Sequence, residues 1–146
     1  MLVDRLLDSP EFAEHWARQW SAQLVPAERK AKRVAEGPMQ VYFDEVLREN
    51  RAWDLVVDDL LTGEGAVDDE PARAFIAARN LRGPNKQSAV AELASTTSRV
   101  FLGARIECAQ CHDHPYVDFS REDFWATAAY FGRTFTEQVP KSRPPE

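Results

Sequence analysis

Apolar residues in this chain recur three and four positions apart and nowhere alternate, a pattern that restricts the fold to helices packed on helices. Ser9-Pro10 opens the first such run, with Ser in the capping position and Pro at the first helical residue. Phe12, Trp16, Gln19 and Trp20 then follow at helical spacing and predict a helix through about Leu24. Residues 26–38 hold Pro26, the charged run Glu28, Arg29, Lys30, Lys32 and Arg33, and Gly37-Pro38. They read as an exposed loop or a short solvated helix. Two short helices are expected from Val41 to Arg48 and from Leu55 to Leu61, with Trp53-Asp54 at their junction. An acidic loop, residues 62–71, precedes a helical stretch from Pro71 to Arg79 and a break at Gly83-Pro84.

The next helix spans 86–102, with Val90, Leu93, Ala94, Thr97, Val100 and Phe101 as its buried stripe. Gly103 stands where a C-terminal cap belongs. After the loop CAQCHDHPY, Ser120 and Asp123 form a capping box with Asp in the place of the usual Glu. It opens a last helix with Phe124, Ala128 and Phe131 on one side and Trp125 beside them. The expectation is an all-α, compact bundle of about five helices carrying one chemically loaded loop.

Length, 146 residues, fits one domain, placed at 1–137, with QVPKSRPPE (138–146) as a linker-like tail. Eighteen Lys and Arg against 24 Asp and Glu give a net charge of −6, a poor basis for binding nucleic acid, whose affinity comes from neutralised phosphates. No apolar run approaches the roughly 18 residues that span a bilayer. The start, MLVDRLLDSPEF, lacks the basic n-region, apolar stretch and cleavage site of a signal peptide.

The loaded loop is Cys108-Ala109-Gln110-Cys111-His112, a C-x-x-C-H pattern. Two thiols separated by two residues can reach both vinyl groups of a haem and form thioethers. The His after the second Cys then lies under the iron as proximal axial ligand. Other chemistries share these residues. A redox dithiol needs a thioredoxin-type strand–turn–helix, which the pattern lacks. A zinc staple would draw on Cys108, Cys111 and His114, with His112 or His15, but a second C-x-x-C or H-x-x-H half-site is missing.

A sixth iron ligand has three candidates. His15 is the one distant imidazole, on a helix between Phe12 and Trp16, where an apolar pocket would form around it. His114 follows His112 too closely to swing easily to the opposite haem face, and Met39 sits beside a Gly-Pro pair where packing is the simpler role. The four Trp, at 16, 20, 53 and 125, are accounted for by a helical core alone.

The stretch FLGARIECAQCHDHPYVDFSREDFWATAAYF resembles the signature of a planctomycete cytochrome c-like domain family labelled as of unknown function. LVDRLLDSPEFAEHWARQW is similar to its N-terminal signature and VYFDEVLRENRAWDLVVDDLLTG to its central helices, so the resemblance covers nearly the whole chain. It implies haem c on Cys108, Cys111 and His112, with His114 matching the following His. It also implies a distal His at the position of Gln19 in many members and of His15 in others, one helical turn apart. The family occurs in large exported proteins alongside other domains, which implies an extracytoplasmic setting, at the periplasm or cell surface.

The reading that follows is a c-type cytochrome module for electron transfer. Its partner would be a redox protein or a neighbouring domain, and Glu64, Asp68, Asp69 and Glu70 offer a surface for steering a basic one. Two rivals remain at this stage: a haem enzyme with an open sixth position, and a zinc-stapled interaction module.

Overall fold

A computed structural model describes residues 1–79 and 81–136, so the tail at 138–146 and its boundary lie outside the described residues. These residues form seven α-helices and three 3-10 turns, with no strand among them. The helices are α1 (Leu2–Leu7), α2 (Pro10–Leu24), α3 (Arg29–Arg48), α4 (Trp53–Thr62), α5 (Ala74–Ala77), α6 (Lys86–Phe101) and α7 (Arg121–Ala129). The all-α expectation holds, but the count is seven rather than about five. Helix α1 was not anticipated, and none of its residues is buried.

The Ser9 hydroxyl accepts the Phe12 amide at 3.3 Å, with Pro10 beginning α2. The buried side of α2 is Ala13, Ala17, Ser21 and Leu24. Helix α3 answers with Ala31, Ala35, Met39, Tyr42, Phe43 and Val46. Small residues on both sides let the two backbones approach closely, and the short link between them makes the pair an antiparallel hairpin.

Helix α3 resolves the expected loop or short solvated helix at 26–38 into a long, partly buried helix from Arg29 onward. It runs through Gly37-Pro38 without a break. Proline forfeits one hydrogen bond, to the carbonyl of Val34, a residue that faces solvent. Gly37, having no Cβ, relieves the clash that a residue before proline normally suffers. The buried stripe from Ala31 to Val46 keeps its three- and four-residue spacing across the pair, so packing on α2 outweighs the local break signal.

Trp20, Phe43 and Trp53 bind α2, α3 and α4 at one end, with Trp20 and Trp53 centroids 4.6 Å apart. The Tyr42 hydroxyl donates to Asp59 Oδ2 at 2.9 Å, and Arg51 Nη2 reaches the same oxygen at 2.6 Å. Burial and the Asp59 carboxylate push the Tyr42 phenol up from its ordinary range.

Arg79 lies in the core, 3% exposed. It donates to the carbonyls of Phe75 at 2.6 Å and Leu24 at 3.1 Å and to Thr96 Oγ1 at 3.3 Å. Its guanidinium covers the Phe75 ring. Nε lies 3.3 Å from Glu92 Oε1, close enough for an ion pair but without a hydrogen-bonding alignment. Burial pulls its pKa down to about 10, with Glu92 opposing the fall. One side chain thus links the end of α2, α5 and α6. The helix expected to reach Arg79 stops at Ala77, freeing Arg79 to turn inward.

Helices α6 and α7 follow their sequence signals. Val90, Leu93 and Ala94 are buried, and Val100 and Phe101 pack partly against the core. Gly103 takes φ +67°, the left-handed conformation expected past a helix end. At α7, Ser120 Oγ accepts the Asp123 amide at 3.1 Å while Asp123 Oδ2 takes the Ser120 amide at 2.8 Å. The Ser120 hydroxyl, donating to Asp123 Oδ2 at 2.7 Å, and next the Ser120 amide hold the Asp123 carboxyl below the usual carboxylate range. Phe124, Ala128 and Phe131 are buried and Trp125 packs beside them, as expected.

Candidate functional site

Beyond Gly103 the chain forms a 3-10 turn, Glu107–Gln110, inside the expected loop. Ile106 and Ala109 point inward, 3% and 0% exposed, and pin the turn to the core. Cys108 lies inside this turn and Cys111 is the residue that ends it, and both thiols are unpaired and exposed.

Helix α7 holds this turn. Trp125 Nε1 donates to the Gln110 carbonyl at 3.2 Å. Asp113 Oδ1 accepts the Arg121 amide, the first of α7, at 2.8 Å. Neither Trp125 nor Asp113 stood out as a site residue in the sequence. The signal for Trp125 was its indole N–H, which needs a partner when half-buried. Asp113 gave none beyond its place after His112.

In their neutral rings the two loop histidines have opposite proton arrangements. His112 Nδ1 lies 2.7 Å from the carbonyl oxygen of Asp113, which can only accept, so Nδ1 carries the proton and Nε2 keeps its lone pair. His114 Nδ1 faces the amides of Tyr116 and Val117 at 3.2 and 3.3 Å, which can only donate, so here Nε2 carries the proton. The His114 amide closes the loop on the Phe119 carbonyl at 2.9 Å. His112 has a metal-ready nitrogen, whereas His114 serves as the hub of its loop.

The remaining candidates stand apart. His15 is exposed on α2, its ring edge-on to Trp16 at 5.6 Å. Trp16 is itself 44% exposed, so the expected apolar pocket around His15 is an open surface in this chain. Met39 is wholly buried in α3. Among the described residues, no three His, Cys, Asp or Glu side chains gather closely enough to hold a metal ion. Exposed apolar side chains flank the cysteines in the same segment: Leu102, Tyr116 and Val117. A hollow of about 700 Å³ along α7, bordered by Phe119, Asp123 and Tyr130, is not lined by either cysteine.

The model of one family, PSCyt2, described as a protein of unknown function (DUF1549), matches residues 1–136. The chain belongs to the PSCyt2 family. The match takes in every helix and the whole C-x-x-C-H turn of this PSCyt2 domain. No curated protein and no solved structure matches it. No helix among the described residues is long and apolar enough to cross a membrane.

Proposed function

We propose that this PSCyt2 domain is a c-type cytochrome module, carrying one haem on Cys108 and Cys111 with His112 as proximal ligand. The observation that carries this reading is the pairing of two features in one short segment: two exposed thiols three residues apart and a following imidazole whose Nδ1–H is engaged and whose Nε2 is open. An Nδ1–H bonded to a carbonyl is the usual support for an Nε2 metal ligand, since it fixes the tautomer and raises ligand basicity. The exposed apolar residues Leu102, Tyr116 and Val117 suit a flat apolar group laid over the turn. A haem so bound supplies reversible one-electron chemistry at its iron.

For the second axial position, His15 is favoured by elimination. The Met39 thioether is sealed in the core, and His114 commits Nδ1 to two amides and its proton to Nε2. His15 presents an exposed imidazole, from this chain or a second copy. Attachment of haem c places the module outside the cytoplasm, with a redox protein or a neighbouring domain as partner.

The deciding experiment is export of the chain with haem-maturation machinery, followed by intact mass and an absorption spectrum. One haem that survives acid–acetone extraction, and is lost in Cys108→Ala/Cys111→Ala, is expected. A bare polypeptide mass overturns the reading, and polypeptide plus zinc replaces it with the structural staple.

A further inference from the structure

Asp113 makes two contacts that belong to different elements. Its backbone carbonyl takes the His112 Nδ1–H, and its side-chain Oδ1 takes the Arg121 amide at 2.8 Å. The Arg121 amide lies in the first turn of α7, where backbone donors lack intrahelical partners. A carboxylate there is also favoured by the helix dipole.

His112 is solvent-exposed, so a carbonyl drifting on a loose loop would lose its N–H to water. This carbonyl does not drift. Its residue is fastened to α7 by the side chain, and on the other side of His112 the Gln110 carbonyl is fastened to α7 by Trp125. The imidazole sits between two tethers to one rigid helix.

We propose that Asp113 is the positioning residue of this site: by fastening its own main chain to the start of α7, it holds the carbonyl that keeps the His112 proton on Nδ1 and the lone pair on Nε2. Its role toward an iron rests on the haem c reading above. Its role toward His112 does not, and is readable in the polypeptide alone.

The test compares wild type, Asp113→Ala and Asp113→Asn, first without haem. Ring ¹⁵N shifts of His112 at about pH 8.5, above the range where free imidazole titrates, report the tautomer, and hydrogen exchange reports the Arg121 amide. Wild type is expected in the Nδ1–H form. Asp113→Ala should give a mixture of both tautomers and exchange at Arg121 faster by on the order of tenfold, the worth of one hydrogen bond. Asp113→Asn keeps the accepting Oδ1 and should restore both. Should Asp113→Ala fail to fold, Asp113→Glu, which carries its oxygens past the amide, gives the same comparison.

In haem-loaded protein the midpoint potential should rise in Asp113→Ala, because a less basic imidazole supports the oxidised iron less well, and return in Asp113→Asn. Unchanged tautomer and exchange in Asp113→Ala, or failure of Asp113→Asn to restore them, overturns the proposal. If wild type takes up no haem, the haem reading falls, while the tautomer and exchange data still decide what Asp113 does.

Discussion

His112 and His114, two residues apart, use the same ring nitrogen in opposite senses: Nδ1 of His112 donates to the Asp113 carbonyl, and Nδ1 of His114 accepts from the amides of Tyr116 and Val117. Their substitutions should therefore separate cleanly. With haem bound as proposed, His112→Ala is expected to abolish the iron spectrum of the loaded protein. His114→Ala should leave the axial ligand in place and cost about 1 kcal/mol of stability through the lost acceptor. Absorption spectra and chemical denaturation of both variants check this, and a spectrum lost in His114→Ala alone would reverse the assignment.

His15 gives the sharpest spectroscopic outcome. Wild type with His15 on the iron should be low-spin when oxidised. His15→Ala should become high-spin or water-ligated and bind cyanide readily, with covalent attachment intact. His15→Met should raise the potential, since a thioether favours reduced iron relative to imidazole. An unchanged low-spin spectrum in His15→Ala removes His15 from the iron.

Arg79 should be a costly polar position to change. Arg79→Ala strands the Leu24 and Phe75 carbonyls in the core and opens a cavity between α2, α5 and α6. A loss of about 3–5 kcal/mol is expected, from two buried carbonyls left without their charged donor. Arg79→Lys should recover little, because one ammonium cannot reproduce the planar fork that meets Leu24, Phe75 and Thr96 together. Urea midpoints of the two variants measure this directly.

The capping box at α7 gives the chain an acid-sensitive point. Hydrogen bonds from Ser120 depress the Asp123 pKa in the folded state. A depressed carboxyl stabilises the fold above its unfolded pKa of about 3.9, and that contribution is lost as pH falls through the lower folded value. Asp123→Asn should therefore flatten the acid limb of a stability–pH profile below about pH 4 and change little near neutrality in its slope. A parallel acid limb in the variant would show that Asp123 is not titrating there.

Trp125→Phe tests the turn itself. It keeps the ring against Phe124 and removes the donor to the Gln110 carbonyl. A stability loss of about 1 kcal/mol is expected, with faster amide exchange confined to residues 108–112.

What the sequence made legible was local chemistry. Ser9-Pro10, Gly103 and the Ser120–Asp123 pair each act within a few residues of themselves, and each stands in the structure where its chemistry requires. The C-x-x-C-H spacing was likewise local, and both of its thiols are exposed on the turn that carries them. Gly37-Pro38 misled because a local break signal was set against a longer packing stripe on α2 that only the paired helices reveal. Arg79 was unreadable as a core residue, since its partners lie at 24, 75, 92 and 96. The tethers from Asp113 and Trp125 were hidden for the same reason: they act across 8 and 15 residues of chain.

Those tethers are nested, and the nesting bears on how the segment orders itself. The contact from His114 to Phe119 lies inside that from Asp113 to Arg121, which lies inside that from Gln110 to Trp125. The entropy of closing a loop grows only with the logarithm of its length, so each contact leaves the next a shorter effective loop to close. The cysteine turn can thus be assembled as a zipper that starts at the His114–Phe119 contact and closes outward on both sides, to Asp113–Arg121 and then Gln110–Trp125, with no single step bearing the cost of ordering all of it.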